Sequence, residues 1–170
     1  DSAIRKAVET AEDNEKQAWI DLQKYHVSKD DIVIGITASG TTPYVVGGLK
    51  TCFENGIYTS CIICNENMVI SNYSNITIQL LVGPEFITGS TRMKAGTAQK
   101  MTLNMISTSV MIRLGHVLDN QMIDMHLNNS KLEERGVNII IKTCGVKKSV
   151  AKKLLKKYKS VRLAIKNWDS

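Results

Sequence analysis

The chain has 170 residues, 43% of them hydrophobic, which is enough to bury a core in one main domain with a small appendage. Its formal charge of +6 sits in the tail, where Lys142 to Ser170 carries ten Lys and Arg against one acid. No apolar run is long enough to span a bilayer and the opening DSAIRKAVETAEDNEKQ is charged, so the expectation is a cytoplasmic protein with no membrane partner.

Two helical patterns open the chain, about Ala3 to Thr10 and about Glu15 to Tyr25. DDIVIGITASG, Asp31 to Gly40, is an apolar strand running into a turn of small residues, and Pro43 suits the first turn of a helix reaching about Asn55. Gly56 ends that helix, and IYTSCIIC and NITIQLLVG supply two further buried strands. Strands alternating with helices predict an α/β fold, a doubly wound parallel sheet. Three strands leave edges uncovered, so one or two more are expected ahead of Asp1.

From Gly89 to about Val117 the pattern is helical. Ala98, Met101, Met105, Ser109 and Ile112 form one stripe; Leu103, Ile106, Val110 and Leu114 form another. That helix is expected to be covered on two sides, by a sheet and by a partner subunit, with its methionines as core filler. DNQMIDMHLNNS then separates it from three short helices, about Asn129 to Thr143, Ser149 to Tyr158 and Val161 to Trp168. The predicted division is 1–128 for the α/β domain and 129–170 for a small helical subdomain.

The chemistry concentrates in three segments. ASGTTP (Ala38 to Pro43) and GSTRMKAGT (Gly89 to Thr97) each join small hydroxylated residues to a helix start, where free backbone N–H groups and the helix dipole favour an anion. Neither is a nucleotide-binding phosphate loop or a dinucleotide loop, and each reads equally as a capped helix start. Two such loops at the carboxyl ends of parallel strands point to a small phosphorylated ligand. AVETAED gathers Glu9, Glu12 and Asp13, either a solvated helix end or a source of a general base.

Cys61 and Cys64 spell C-x-x-C but fall on a strand, where positions three apart face opposite sides and cannot share a metal. His26, His116 and His126 lack partners at ligand spacing, so no metal is expected. The lysines of the tail flank an apolar stripe and read as a solvated face, with no nucleic acid partner.

AVETAEDN, DIVIGITASGTTPYVVGGLK, VGPEFITGSTRMKAGTAQKMTLNMIST and RLGHVLDNQMIDM together resemble the N-acetylmuramic acid 6-phosphate etherases. These are sugar-isomerase-type (SIS) proteins related to the glucokinase regulatory protein. NIIIKTCGVKKSVAKKLLKKYKSVRLAI is similar to that family's ubiquitin-associated-like helical end.

The resemblance implies a homodimeric lyase, free of metal or redox cofactors, that converts N-acetylmuramic acid 6-phosphate to N-acetylglucosamine 6-phosphate and D-lactate in cell-wall sugar recycling. It assigns C2 proton abstraction to Glu12, and phosphosugar binding to Glu9, to Ser39, Gly40, Thr41 and Thr42, and to Ser90, Thr91, Arg92 and Lys94. The alternative it carries is a non-catalytic, regulatory phosphosugar-binding module. The family usually reads ASGRTPYV, so Thr41 stands where an Arg charge is expected. The family's first glycine- and serine-rich loop and its acid glutamate lie ahead of the segment matching Asp1, which implies a partial site, inactive by itself.

Overall fold

Pro43 at its first turn and Gly56 beyond its end bound helix α3 (Pro43–Glu54) in a computed structural model that describes residues 2–6, 8–66 and 68–168, with the side chains of residues 2, 3 and 9 outside the description. Around α3 lie strands β1 (Ile32–Ile36), β2 (Tyr58–Ile63) and β3 (Ile76–Gln79), all parallel in the order β1-β2-β3. Ile36 pairs with Ile62, which pairs in turn with Ile78, so apolar residues of all three strands align in that row. One face packs on α3, with Leu49, Cys61, Ile63 and Ile70 as its buried centre. On the other face Ile32, Ile36, Tyr58 and Ile76 remain exposed. The α/β parallel fold expected from the strand and helix alternation is therefore present.

Before the sheet come helix α1 (Ser2–Arg5), a 3-10 turn (Glu9–Asp13) and helix α2 (Gln17–Gln23). The single opening helix expected to Thr10 is thus broken in two, and Asp1 and Ala7 lie outside the described residues. By backbone contacts the chain forms two compact units, Asp1–Leu103 and Asn104–Ser170.

Helix α4 (Lys94–Arg113) begins after the expected Gly89, because Gly89 takes a left-handed φ of 85° and the chain turns again through Met93. Its methionines differ from the core expectation: Met101 is 56% and Met105 60% exposed, while Ala95 and Thr102 are buried. Gly115, also left-handed, ends it.

The second unit holds a short hairpin, β4 (Val117–Leu118) and β5 (Gln121–Met122), then helices α5 (Ser130–Cys144), α6 (Lys148–Tyr158) and α7 (Val161–Lys166). The sequence reading had no hairpin here, because two-residue strands show no periodicity; the turn rests on Asp119 at φ 53°. Asn129 caps α5 by accepting the Leu132 N–H at 2.9 Å, and Gly145 ends it in the left-handed region. Val137, Ile140, Ala151, Leu155, Val161 and Ala164 form the core between the helices. Lys152, Lys153, Lys156 and Lys157 stay on the exposed side of α6. Among the described residues no helix is long and apolar enough to cross a membrane.

Charge ties the hairpin region to α7. Arg162 donates from Nε to Asp124 Oδ1 at 2.7 Å and from Nη2 to Asp124 Oδ2 and the Gly115 carbonyl, while His116 Nδ1 lies 2.7 Å from Asp124 Oδ2. The Arg162 hydrogen bond is the main cause that pulls the Asp124 carboxyl from 3.8 down to about 2. A carboxyl depressed in the folded state stabilises above its unfolded value, and that contribution is lost as pH falls through the folded one. The stability gap between the native protein and Asp124→Asn is therefore expected to be full near neutrality and to close between pH 3.8 and about 2, as read by thermal melts across that range. A gap that stays constant to pH 2 would remove the pair from the stability of this unit.

Candidate functional site

At the end of β1 the chain turns sharply and starts α3, and this junction builds one wall of a hollow in the first unit. Thr37, buried at 6% exposure, extends the strand by donating its N–H to Ile62 O at 3.1 Å. Its hydroxyl is bonded to Thr42 Oγ1 at 2.8 Å and Ser39 Oγ at 3.2 Å, and accepts the Gly40 N–H at 3.3 Å. Ser39 Oγ also accepts from the Thr41 N–H at 3.2 Å and the Thr41 hydroxyl at 3.1 Å. Gly40 has φ 78°, and a Cβ there would lie 2.4 Å from Met68 Cγ, so both conformation and space demand glycine. The result is a ring of hydroxyls at the mouth of α3, ready to donate to or accept from a sugar or phosphate oxygen.

The hollow, about 850 Å³, is lined by Glu12 on the 3-10 turn, by Thr37, Ser39 and Thr42 at the α3 mouth, and by Thr91 and Gln99 from the second loop and α4. Of the residues assigned from sequence, it brings together Glu12, Ser39, Thr42 and Thr91. Gly40 and Thr41 adjoin its wall through the Thr37 and Ser39 hydroxyls. Ser90, Arg92 and Lys94 belong to the second loop without lining the hollow. Glu9 is on the same 3-10 turn as Glu12, and its side chain lies outside the description.

The start of α4 is held by the protein itself. Glu85 accepts the Ala95 N–H on Oε1 and the Lys94 N–H on Oε2, each at 3.0 Å, and these bonds hold its carboxyl below the ordinary carboxylate value. Lys94 Nζ turns back to the Pro84 carbonyl at 2.8 Å. The helix end that the sequence reading offered to an outside anion thus carries an internal carboxylate.

Three further wall residues carry no local motif. Asp21 accepts from Lys24 Nζ at 2.8 Å, Gln17 Nε2 at 3.0 Å and Tyr44 OH at 3.3 Å, and Lys24 above all keeps its carboxyl low. Burial, with Asp21 as neighbour, raises the Tyr44 phenol. The Tyr44 hydroxyl thereby ties α3 to α2 in the wall of the hollow. Gln99 follows the helical spacing of buried Ala95 and Thr102, which was the available signal that it faces inward. Among the described residues no group of three or more His, Cys, Asp or Glu is gathered to hold a metal ion. Cys61 is fully buried, and Cys64 lies past the end of β2.

Residues 1–53 match the family described as the glucokinase regulatory protein N-terminal SIS domain. Over 162 residues the chain is 56% identical to the N-acetylmuramic acid 6-phosphate etherase of Christiangramia forsetii, covering 95% of this chain and 59% of that one. It is 48% identical over 165 residues to the protein of the same name from Bacteroides thetaiotaomicron, covering 97% of this chain and 60% of that one. The chain thus spans about 60% of the length of these relatives. A solved structure of a phosphosugar isomerase, so described provisionally, from Clostridium difficile 630 aligns at TM-score 0.49 and 14% identity, over 81% of this chain and 36% of that one.

Proposed function

We propose that this chain, which belongs to the family of the N-acetylmuramic acid 6-phosphate etherases, holds N-acetylmuramic acid 6-phosphate in the hollow beside α3 and supplies the base that starts lactate elimination. The observation that carries the reading is one space lined by a carboxylate, Glu12, and by the hydroxyls of Ser39, Thr42 and Thr91. The hydroxyl ring at the α3 mouth takes the phosphate, aided by the helix dipole. In the ring-opened sugar the C1 aldehyde acidifies the C2 proton. Glu12 removes it, the C2–C3 double bond forms as the C3–O bond breaks, and D-lactate leaves with a proton from a second acid. Water then adds across the double bond to give N-acetylglucosamine 6-phosphate.

Glu9, Gly40, Thr41, Ser90, Arg92 and Lys94 complete the proposed binding set, with Arg92 and Lys94 as the cations of the second loop. Residues 1–128 form the phosphosugar-binding part in this reading and 129–170 a helical subdomain. Exposed Met101, Met105, Val110 and Ile112 on α4 support a homodimer in which a second copy covers that helix. The reaction belongs in the cytoplasm, where a recycled phosphosugar is found.

Incubating the product of the complete reading frame with N-acetylmuramic acid 6-phosphate is expected to release D-lactate and N-acetylglucosamine 6-phosphate in equal amounts. Tight binding without release would favour the regulatory alternative, and neither would overturn both. Ser39→Ala is expected to weaken phosphosugar binding by roughly 1 to 3 kcal/mol, as for a lost hydrogen bond to a charged group. Ser90→Ala, off the hollow, is expected to cost less; titration calorimetry compares the two.

A further inference from the structure

Gln99 lines the hollow, and its side chain carries a buried donor that nothing among the described residues satisfies. Gln99 Nε2 is buried and, among the described residues, has no hydrogen-bond partner, although the residue lines the same space as Glu12, Ser39 and Thr91. A buried amide N–H left unpaired is costly, so a site that keeps one is built for an acceptor that arrives with the ligand.

We propose that Gln99 determines specificity at this site by donating from Nε2 to the acetamido carbonyl on C2 of an N-acetylated phosphosugar. The inference rests on the phosphosugar reading above and deepens it. The hydroxyls at the α3 mouth suit the anionic end of the ligand, whereas a neutral side-chain amide matches a neutral carbonyl. The acetamido group is attached to C2, the carbon whose proton Glu12 removes. Holding C2 against Glu12 therefore brings that group into the hollow Gln99 lines. Turned over, the Gln99 amide would present Oε1 to the acetamido N–H, so the same substituent is the partner in either orientation. A ligand lacking the group leaves the donor buried and unpaired, which is how polar pockets reject analogues.

The test compares N-acetylglucosamine 6-phosphate with glucose 6-phosphate, which carries a hydroxyl on C2, by calorimetry on the product of the complete reading frame. The native protein is expected to prefer the acetylated sugar. Gln99→Met, similar in shape without the donor, is expected to weaken that sugar roughly 10- to 100-fold and to change glucose 6-phosphate by less than about twofold. Its ligand-free form is expected to melt no lower than the native protein, since an unsatisfied buried donor has been removed. Gln99→Leu serves as the second variant. Equal weakening of both sugars, unchanged affinity for the acetylated sugar, a native protein indifferent to the acetyl group, or two variants that fail to fold would each overturn the assignment while leaving the phosphosugar site standing. A native protein that binds neither sugar would overturn the site and the assignment together.

Discussion

Glu12→Gln is expected to lower lactate release by roughly 10²- to 10⁴-fold, the usual worth of a positioned general base, while phosphosugar affinity changes by no more than about threefold. Glutamine keeps the shape and polarity of the side chain, so the wall of the hollow persists and only proton acceptance is lost. The neighbouring carboxylate supplies the control. Asp13 is on the same 3-10 turn and is absent from the hollow's lining, so Asp13→Asn is expected to leave turnover near the native rate. Turnover and affinity are both read on the product of the complete reading frame with N-acetylmuramic acid 6-phosphate. Loss of binding with loss of turnover would make Glu12 a binding residue, and unchanged turnover would remove it from the reaction.

The segment that carries Glu12 was legible as chemistry before it was legible as structure. AVETAED announces a cluster of carboxylates, but the expected continuous helix is a four-residue helix and a 3-10 turn. From that 3-10 turn Glu12 lines the same hollow as Ser39 and Thr42. The strands β1 to β3 and helix α3 were readable because buried apolar runs and the Pro43 and Gly56 signals agree with one another. The helices of the second unit were readable for the same reason, through the Asn129 cap and Gly145.

Long-range partners were not readable. Thr37 looks like an ordinary strand residue until its hydroxyl is seen bridging Ser39 and Thr42, and Asp21 meets Tyr44 only because α2 packs against α3. At the start of α4, Glu85, nine residues before Lys94, supplies a cap across a loop, a contact no local spacing rule encodes. The apolar stripes of α4 led to an expectation of burial, but Met101, Met105, Val110 and Ile112 are exposed on this chain, because periodicity marks an apolar face without saying what, if anything, covers it.

Gly47→Ala is expected to be among the most damaging single changes in the first unit, because a Cβ there would sit 2.1 Å from the Glu15 carbonyl oxygen, 2.8 Å from its carbon and 2.9 Å from its Cα. Those atoms are backbone and cannot swing away as a side chain would. Either α3 or the segment from the 3-10 turn into α2 has to move, at a cost of ~3 kcal/mol or more. The melting temperature is then expected to fall by roughly 6 to 12 °C for a chain of this size. Glu15 follows Glu12 closely, so the same displacement shifts the carboxylate relative to Ser39 and Thr42, and turnover is expected to fall further than the unfolded fraction explains. Gly96→Ala is the matched control: its Cβ would meet only the Thr91 carbonyl, at 3.4 Å, and alanine in the first turn of α4 is the better helix former. Melting curves and lactate release measured on both variants separate the two cases. A Gly47→Ala protein with native melting and native turnover would mean that the close approach of α3 to Glu15 does not hold the carboxylate in place, and the hollow would lose the feature that brings base and hydroxyls together.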